Sequence, residues 1–352
     1  MIQPSDAILI VSFGGPERRE DVLPFLENVV RGRNVPRERL LQVAEHYYHF
    51  NGRSPINDQN RALIAALEAV LAEEGPPIRV YWGNRNWRPF LADAFRAMKA
   101  DGVRRVFAFV TSAYGSYSGC RQYLENLERA QQEAGAGFME VRKLRAFYNH
   151  PGFIEPMIER VKEALAGLPA QNRDSALLLF SAHSIPKRMA GSSPYAEQLA
   201  EASRLVAEAV GHPEFRLVYQ SRSGPPSEPW LEPDILDELR AAAARGVRDV
   251  VVVPIGFVSD HLEVLYDLDV EARCLADSLG LRMARAKTVS ADLRFVRMIR
   301  ELVLERAGVV PTRRTLGVLG PSPDICPPGC CPAPHGPRPS AVEPRAGARQ
   351  TH

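Results

Sequence analysis

The stretch LLLFSAHSIPKR, residues 177–188, runs apolar through Phe180, delivers His183 and stops at Pro186. An unbroken apolar run, as opposed to an alternating one, marks a strand of a parallel sheet covered on both faces. A second run, DVVVVPIGF (249–257), has the same character and breaks into Asp260, His261 and Glu263. Open parallel sheets bind ligands outside the carboxyl ends of their strands, so both sets of ionisable groups are expected to face one crevice.

Five further apolar runs read as strands: 7–13, 78–83, 104–112, 140–144 and 215–221. Helical periodicity fills the gaps, as in NDQNRALIAALEAVLAEEG (57–75), where Leu63, Leu67, Val70 and Leu71 share a face. Strand and helix in alternation over 352 residues predict an α/β protein with two doubly wound, Rossmann-like parallel-sheet domains. The expected organisation is 1–146 for the first domain and 147–310 for the second, with its last helix crossing back. A proline-rich, cysteine-containing tail follows at 311–352; nine of the 29 prolines lie in 321–352, a composition too poor in apolar side chains to order itself.

With 44 basic residues against 42 acidic ones, the chain lacks the charge footprint of a nucleic-acid binder. No run approaches the ~18 apolar residues of a membrane span, and the N-terminal stretch lacks a secretory pattern, so a cytoplasmic protein is expected. Five cysteines are an odd number for a disulfide framework and suit free thiols or ligands in a reducing compartment. The first turn, SFGGPERRE, lacks the three-glycine spacing of a dinucleotide site.

Taken singly, these groups have ordinary structural explanations. His183 could be a hydrogen-bonded strand terminus, and Asp260 could cap the helix that follows. Glu263, Asp267 and Glu271 recur at i, i+4 and i+8, either as a solvated acidic face or as carboxylates whose repulsion a cation relieves. Imidazole and carboxylate together are ligands suited to ferrous iron and also form a general-base set.

The segments LIVSFGGPE, GRSPIN, TSAYGSYSGCRQY, LLLFSAHSIP, YQSRSGPPSEPWLEP and VPIGFVSDHLEVLYDLDVEA, taken in order, resemble the ferrochelatases, and more narrowly the actinobacterial coproporphyrin III ferrochelatases. The resemblance spans about residues 7–306 and implies a porphyrin cleft between two domains of the chelatase fold. It also implies His183 and Glu263 as the catalytic, iron-binding pair, supported by Asp260, His261 and Asp267. Porphyrin contacts fall on Phe13, Arg31, His46, Tyr47, Ser54 and Tyr123. Phe13 stands where relatives from Firmicutes place an iron-ligating tyrosine, and His46 where they place an arginine.

The implied reaction inserts ferrous iron into coproporphyrin III, giving coproheme in heme biosynthesis. A protoporphyrin IX ferrochelatase and a noncatalytic porphyrin carrier are the alternatives. The implied partners are coproporphyrin III, ferrous iron and heme-pathway enzymes that hand over porphyrin. Two pyrrole protons must leave, and a neutral imidazole accepts a proton near pH 7. Coproporphyrin carries four propionates, and Arg31, Arg33, Arg37, Arg39 and Arg53 offer planar forks for carboxylates, unless they form a solvated face. In the tail, Cys326, Cys330 and Cys331 supply three of the four thiolates a 2Fe-2S cluster needs. Cys120 matches the distant ligand of cluster-bearing relatives. A zinc site remains open, since neighbouring side chains such as those of Cys330 and Cys331 normally diverge. Cys274 is expected in the core.

Overall fold

The computed structural model describes residues 2–32, 35–224 and 227–333. Eight strands form two sheets: β1 (Asp6–Ser12), β2 (Arg79–Asn84), β3 (Arg105–Val110) and β4 (Glu140–Lys143) in the first, and β5 (Leu177–His183), β6 (Phe215–Gln220), β7 (Asp249–Val253) and β8 (Arg282–Arg285) in the second. Every pairing is parallel, and the order is the same in both, β2-β1-β3-β4 and β6-β5-β7-β8. Each chain half therefore winds outward from a strand that becomes internal, β1 or β5, and leaves a crevice where the winding reverses.

The seven strands expected from apolar runs are present. β8 was not expected: RMAR is four residues long at a sheet edge, and its alternation is too brief to stand out.

Alternate residues of each strand feed opposite faces. Ala7, Leu9 and Val11 pack with the helices Leu91–Ala100 and Gln122–Glu133. Ile8, Ile10, Phe107 and Phe109 face the other way, into a core that also contains Leu178, Phe180, Val251 and Val253 of the second sheet. One apolar core thus runs through both halves, filled by the helices Pro151–Ala166, Tyr195–Ala209 and Leu293–Arg306. Its aromatic centre is Phe109, Phe147, Phe153 and Phe295, where Phe147 lies 5.1 Å from Phe109 and 5.7 Å from Phe295. At Gly152 a Cβ would stand 2.6 Å from Met298 Cβ, so only glycine lets these two helices approach so closely. Arg297 Nε donates to Glu74 Oε1 (2.7 Å), fastening the last helix to the helix Ile56–Glu74.

Polar links also cross between the sheets. Tyr114 Oη donates to the Ile255 carbonyl (2.8 Å), and the Gly115 amide to Gln198 Oε1 (2.7 Å).

Over its described part the tail is tied to the body of the protein by hydrogen bonds. The amide of Leu316 donates to the Asn149 carbonyl (2.8 Å), while Asn149 Nδ2 donates to the carbonyls of Leu316 (3.3 Å) and Gly320 (2.8 Å). Buried Arg145 reaches the Arg314 carbonyl (3.0 Å), and Glu201 accepts from the Val318 amide (3.0 Å). Proline-rich chain lacks apolar side chains but keeps its carbonyls, and a buried polar seam satisfies them. The tail beyond residue 333 lies outside the described residues.

Candidate active site

β5 ends at His183 because the chain turns away there: the Ser184 amide pairs with the Gln220 carbonyl (2.8 Å), and Pro186 follows. The His183 carbonyl accepts from Tyr195 Oη (2.9 Å). Its ring Nδ1 lies 2.5 Å from the Ser184 carbonyl oxygen. A carbonyl can only accept, so Nδ1 carries a proton, and in the neutral ring the lone pair is on Nε2. That lone pair faces Glu263, whose Oε2 is 3.8 Å away. The two side chains are 35% and 45% exposed, open to an incoming ligand.

The approach of Glu263 depends on the loop after the neighbouring strand β7. The Gly256 amide donates to the Ser181 carbonyl (3.0 Å), and a Cβ on Gly256 would stand 2.7 Å from Ala182 Cα. Glycine at this point lets the loop lie flat on β5 and carry residues 257–263 to His183. The following helix begins as a single α turn, Leu262–Val264, widens to a π-helix over Leu265–Ala272 and tightens again at Arg273–Ser278. Such widening is uncommon and concentrates at functional sites.

Asp260 does not cap this helix, whose N-cap residue is His261 without a side-chain hydrogen bond. Its carboxylate instead pairs with Arg285 (3.0 Å), and its amide donates to Gln59 Oε1 (2.9 Å) on the first-domain helix. His261 is half-buried against Phe257, with ring centroids 5.1 Å apart. Burial lowers its pKa and the nearby His183 adds to this, although Glu263 and Asp260 oppose it. Asp267 accepts from Gln220 Nε2 (3.2 Å) and from the Ser221 hydroxyl. Burial raises its pKa to about 7, against the lowering effect of the Ser221 bond, and the charges of Glu263 and Glu271 push the same way as burial. Among the described residues, no three His, Cys, Asp or Glu side chains enclose a metal ion.

The first-domain side of the crevice has a different chemistry. Phe13 follows β1 and packs edge-on against Phe25 (6.1 Å). Tyr123 is buried, and the Arg85 guanidinium lies 5.4 Å from its ring and 5.8 Å from that of Phe13. Sequence reading missed Arg85, although it follows the carboxyl end of β2 as Phe13 follows β1. Tyr47 is buried beside Phe25 (5.8 Å), and Ser54 is buried under Gly15. His46 stacks on Tyr266 of the π-helix at 3.8 Å and 9°, an aromatic contact between the domains that the sequence did not signal. Burial lowers the pKa of His46, helped by Arg39.

The arginines behave as surface residues. Arg31 donates to Asn28 Oδ1, Arg37 lies 3.7 Å from Glu27, Arg39 bonds Gln42 Oε1 (3.2 Å), and Arg53 pairs with Asp58 (2.7 Å). All four are exposed, and Arg33 lies outside the described residues.

Four of the cysteines converge. Cys120 is buried in the one-turn π-helix Tyr117–Arg121, just before Tyr123. Its thiol exchanges a hydrogen bond with Cys326, which together with burial raises its pKa while Lys143 opposes the shift. Cys330 and Cys331 bring their sulfurs to 3.5 Å. The expected divergence of neighbouring side chains is overcome by left-handed backbone at Gly329 (φ 78°) and Cys331 (φ 49°). Cys274 is exposed, contrary to the expected core position, because the helix turns it outward.

Comparison with known proteins matches residues 5–307 to the ferrochelatase family. A coproporphyrin III ferrochelatase of Streptomyces coelicolor is 53% identical, with 96% of each chain covered. A ferrochelatase of Rhodopirellula baltica is also 53% identical, with 94% of each covered. Among solved structures, SirB from Bacillus subtilis with Fe3+ shares the fold at a TM-score of 0.54 and 13% identity, covering 86% of this chain and 95% of that one. From its sequence, its paired parallel sheets and relatives identical at half their positions, this chain belongs to the ferrochelatase family.

Proposed function

We propose that the protein inserts ferrous iron into coproporphyrin III, giving coproheme and two protons, as a step of heme biosynthesis. The observation that carries this reading is the facing of His183 Nε2 and Glu263 Oε2 across 3.8 Å at the mouth of the crevice. That separation suits one ion touching both atoms at about 2.1 Å each. It equally suits two bases, the imidazole taking one pyrrole proton and Glu263 meeting the iron or taking the second.

On this reading Phe13, Arg85, Tyr123, Tyr47 and Ser54 grip the macrocycle from the first domain, with His46 and Arg31 toward its rim. Phe13 cannot ligate a metal, so product iron is left to His183 or to solvent. His261, kept neutral by burial, shapes the field around Glu263, and Asp267 supports it as a proton reservoir. Coproporphyrin as substrate is supported by the names of the Streptomyces relatives, while Arg37, Arg39 and Arg53 pair with side chains of their own domain. We place the domain boundary at 146/147. We place the protein in a reducing cytoplasm, where cysteines serve as ligands in preference to disulfides.

The test is turnover without oxygen. Ferrous iron and coproporphyrin III should lose free-base fluorescence through many cycles per chain, and protoporphyrin IX much more slowly. Loss of one equivalent only would mean a carrier, and equal rates would overturn the substrate.

We also assign a 2Fe-2S cluster to Cys120, Cys326, Cys330 and Cys331. The donors fit, falling as a Cys120–Cys326 pair and a Cys330–Cys331 pair, and each iron of such a cluster takes two thiolates. When bound, the cluster supplies a one-electron centre and a cross-link from the tail to the first domain. Lys143 adds positive charge beside the thiols and favours their ionisation. Protein isolated without oxygen should be brown, with colour lost in Cys120→Ser and kept in Cys274→Ser. The reverse result would refute the ligand set.

A further inference from the structure

We propose that Arg285 is a positioning residue that holds Glu263 against His183 by clamping both ends of the segment that carries it. The guanidinium, on the last residue of β8, donates from Nη1 to Asp260 Oδ1 (3.0 Å) and from Nε to Asp269 Oδ1 (2.7 Å). A third, longer bond reaches the Ala286 carbonyl (3.5 Å). Asp260 lies in the loop just before the helix, and Asp269 inside the π-helix, so the two bonds bracket His261, Glu263 and Tyr266. The clamp is half-buried, with the Arg285 and Asp260 side chains only 13% and 16% exposed, where charge-assisted bonds are weakly screened.

The remaining supports point the same way. The far end of the π-helix is tied to the same strand through Arg273, which donates to the Met283 carbonyl. Across the crevice, Gln59 accepts from the Asp260 amide (2.9 Å), so the clamped loop is also indexed to the first domain. A π-helix has weaker internal bonding than an α-helix and needs outside support to keep one register. The edge strand β8 supplies it, with a rigid two-pronged donor that lysine cannot imitate.

This inference rests on the reading of His183 and Glu263 given above, and its test separates the two. Steady-state insertion is measured in the full-length protein with ferrous iron varied, then porphyrin varied, together with the thermal midpoint. Arg285→Lys keeps the charge but cannot serve both carboxylates. It should lower kcat/KM for iron at least tenfold, while KM for porphyrin stays within twofold and the midpoint within a few degrees. Asp269→Asn, which leaves the Asp260 bond in place, should give a smaller loss of the same kind, and the double variant should be no worse than Arg285→Lys alone. Iron kinetics within twofold of the parent in both single variants, losses that follow porphyrin KM and the thermal midpoint, or additive losses in the double variant would overturn the clamp. Glu263→Gln is run alongside. If it is crippled while the Arg285 and Asp269 variants are not, only the clamp falls; if it is fully active, the reading of the site falls as well.

Discussion

The two sheets have the same strand order and direction, yet their crevice ends carry opposite chemistries. After β1 and β2 the first half presents Phe13 and Arg85, with buried Tyr123 beside them: rings and a fixed cation. After β5 and β7 the second half presents His183, His261, Glu263 and Asp267, groups that take up protons or ligate ions. One scaffold used twice separates gripping from reacting, so substrate affinity and chemistry should be separable by mutation, side by side.

The largest effect expected on that basis is for His183→Ala, which should reduce insertion by roughly 10²–10⁴-fold, the usual worth of a positioned acid–base group. Porphyrin binding, followed by fluorescence titration, should be nearly unchanged. More than a few per cent of residual activity would mean that the reacting half lies elsewhere. Next, Phe295→Ala should destabilise both halves together, by about 3–5 kcal/mol, because its ring sits in the core they share. Two separate calorimetric transitions, only one of them shifted, would show that the halves are energetically independent.

Arg85→Met probes the gripping half. It should weaken porphyrin binding by about tenfold, the scale of a desolvated cation–ring contact, and leave kcat within twofold. A fall in kcat with unchanged binding would place Arg85 among the reacting groups.

The last test concerns pH and reads stability alone. Asp267 titrates near 7 in the folded protein, against an ordinary carboxyl value of 3.8. The folded chain therefore holds a proton that the unfolded chain releases, and stability attached to this group is lost as pH rises from about 4 to 7. Asp267→Asn should remove that slope, giving a higher thermal midpoint than the parent at pH 8 and the same midpoint near pH 4. A parent that gains stability over this range relative to the variant would contradict the shift.

The sequence made the buried strands legible because a strand covered on both faces must be apolar throughout, as Val250–Val253 are. β8 escaped because an edge strand carries no such constraint, and its Arg285 matters through bonds formed 16 and 25 residues away in sequence. His183 and Glu263 could be found because they follow such strands and sit in recognisable segments. Arg85 and Tyr266 act through ring geometry, which leaves no periodic trace. The tail's composition shows that it needs outside ties but not where they lie: its anchors, Arg145, Asn149 and Glu201, are far upstream and look like ordinary polar residues until they are buried.

Those anchors also change the kinetics of meeting between distant thiols. Without them, Cys326 would swing on the roughly 20 residues that follow Arg306; with Gly320 held by Asn149, the loose span shrinks to about six, which reduces the closure cost by about 1 kcal/mol. The anchors thus work as a tether, raising the local concentration of three tail sulfurs around Cys120 by roughly sixfold before any bond forms between them.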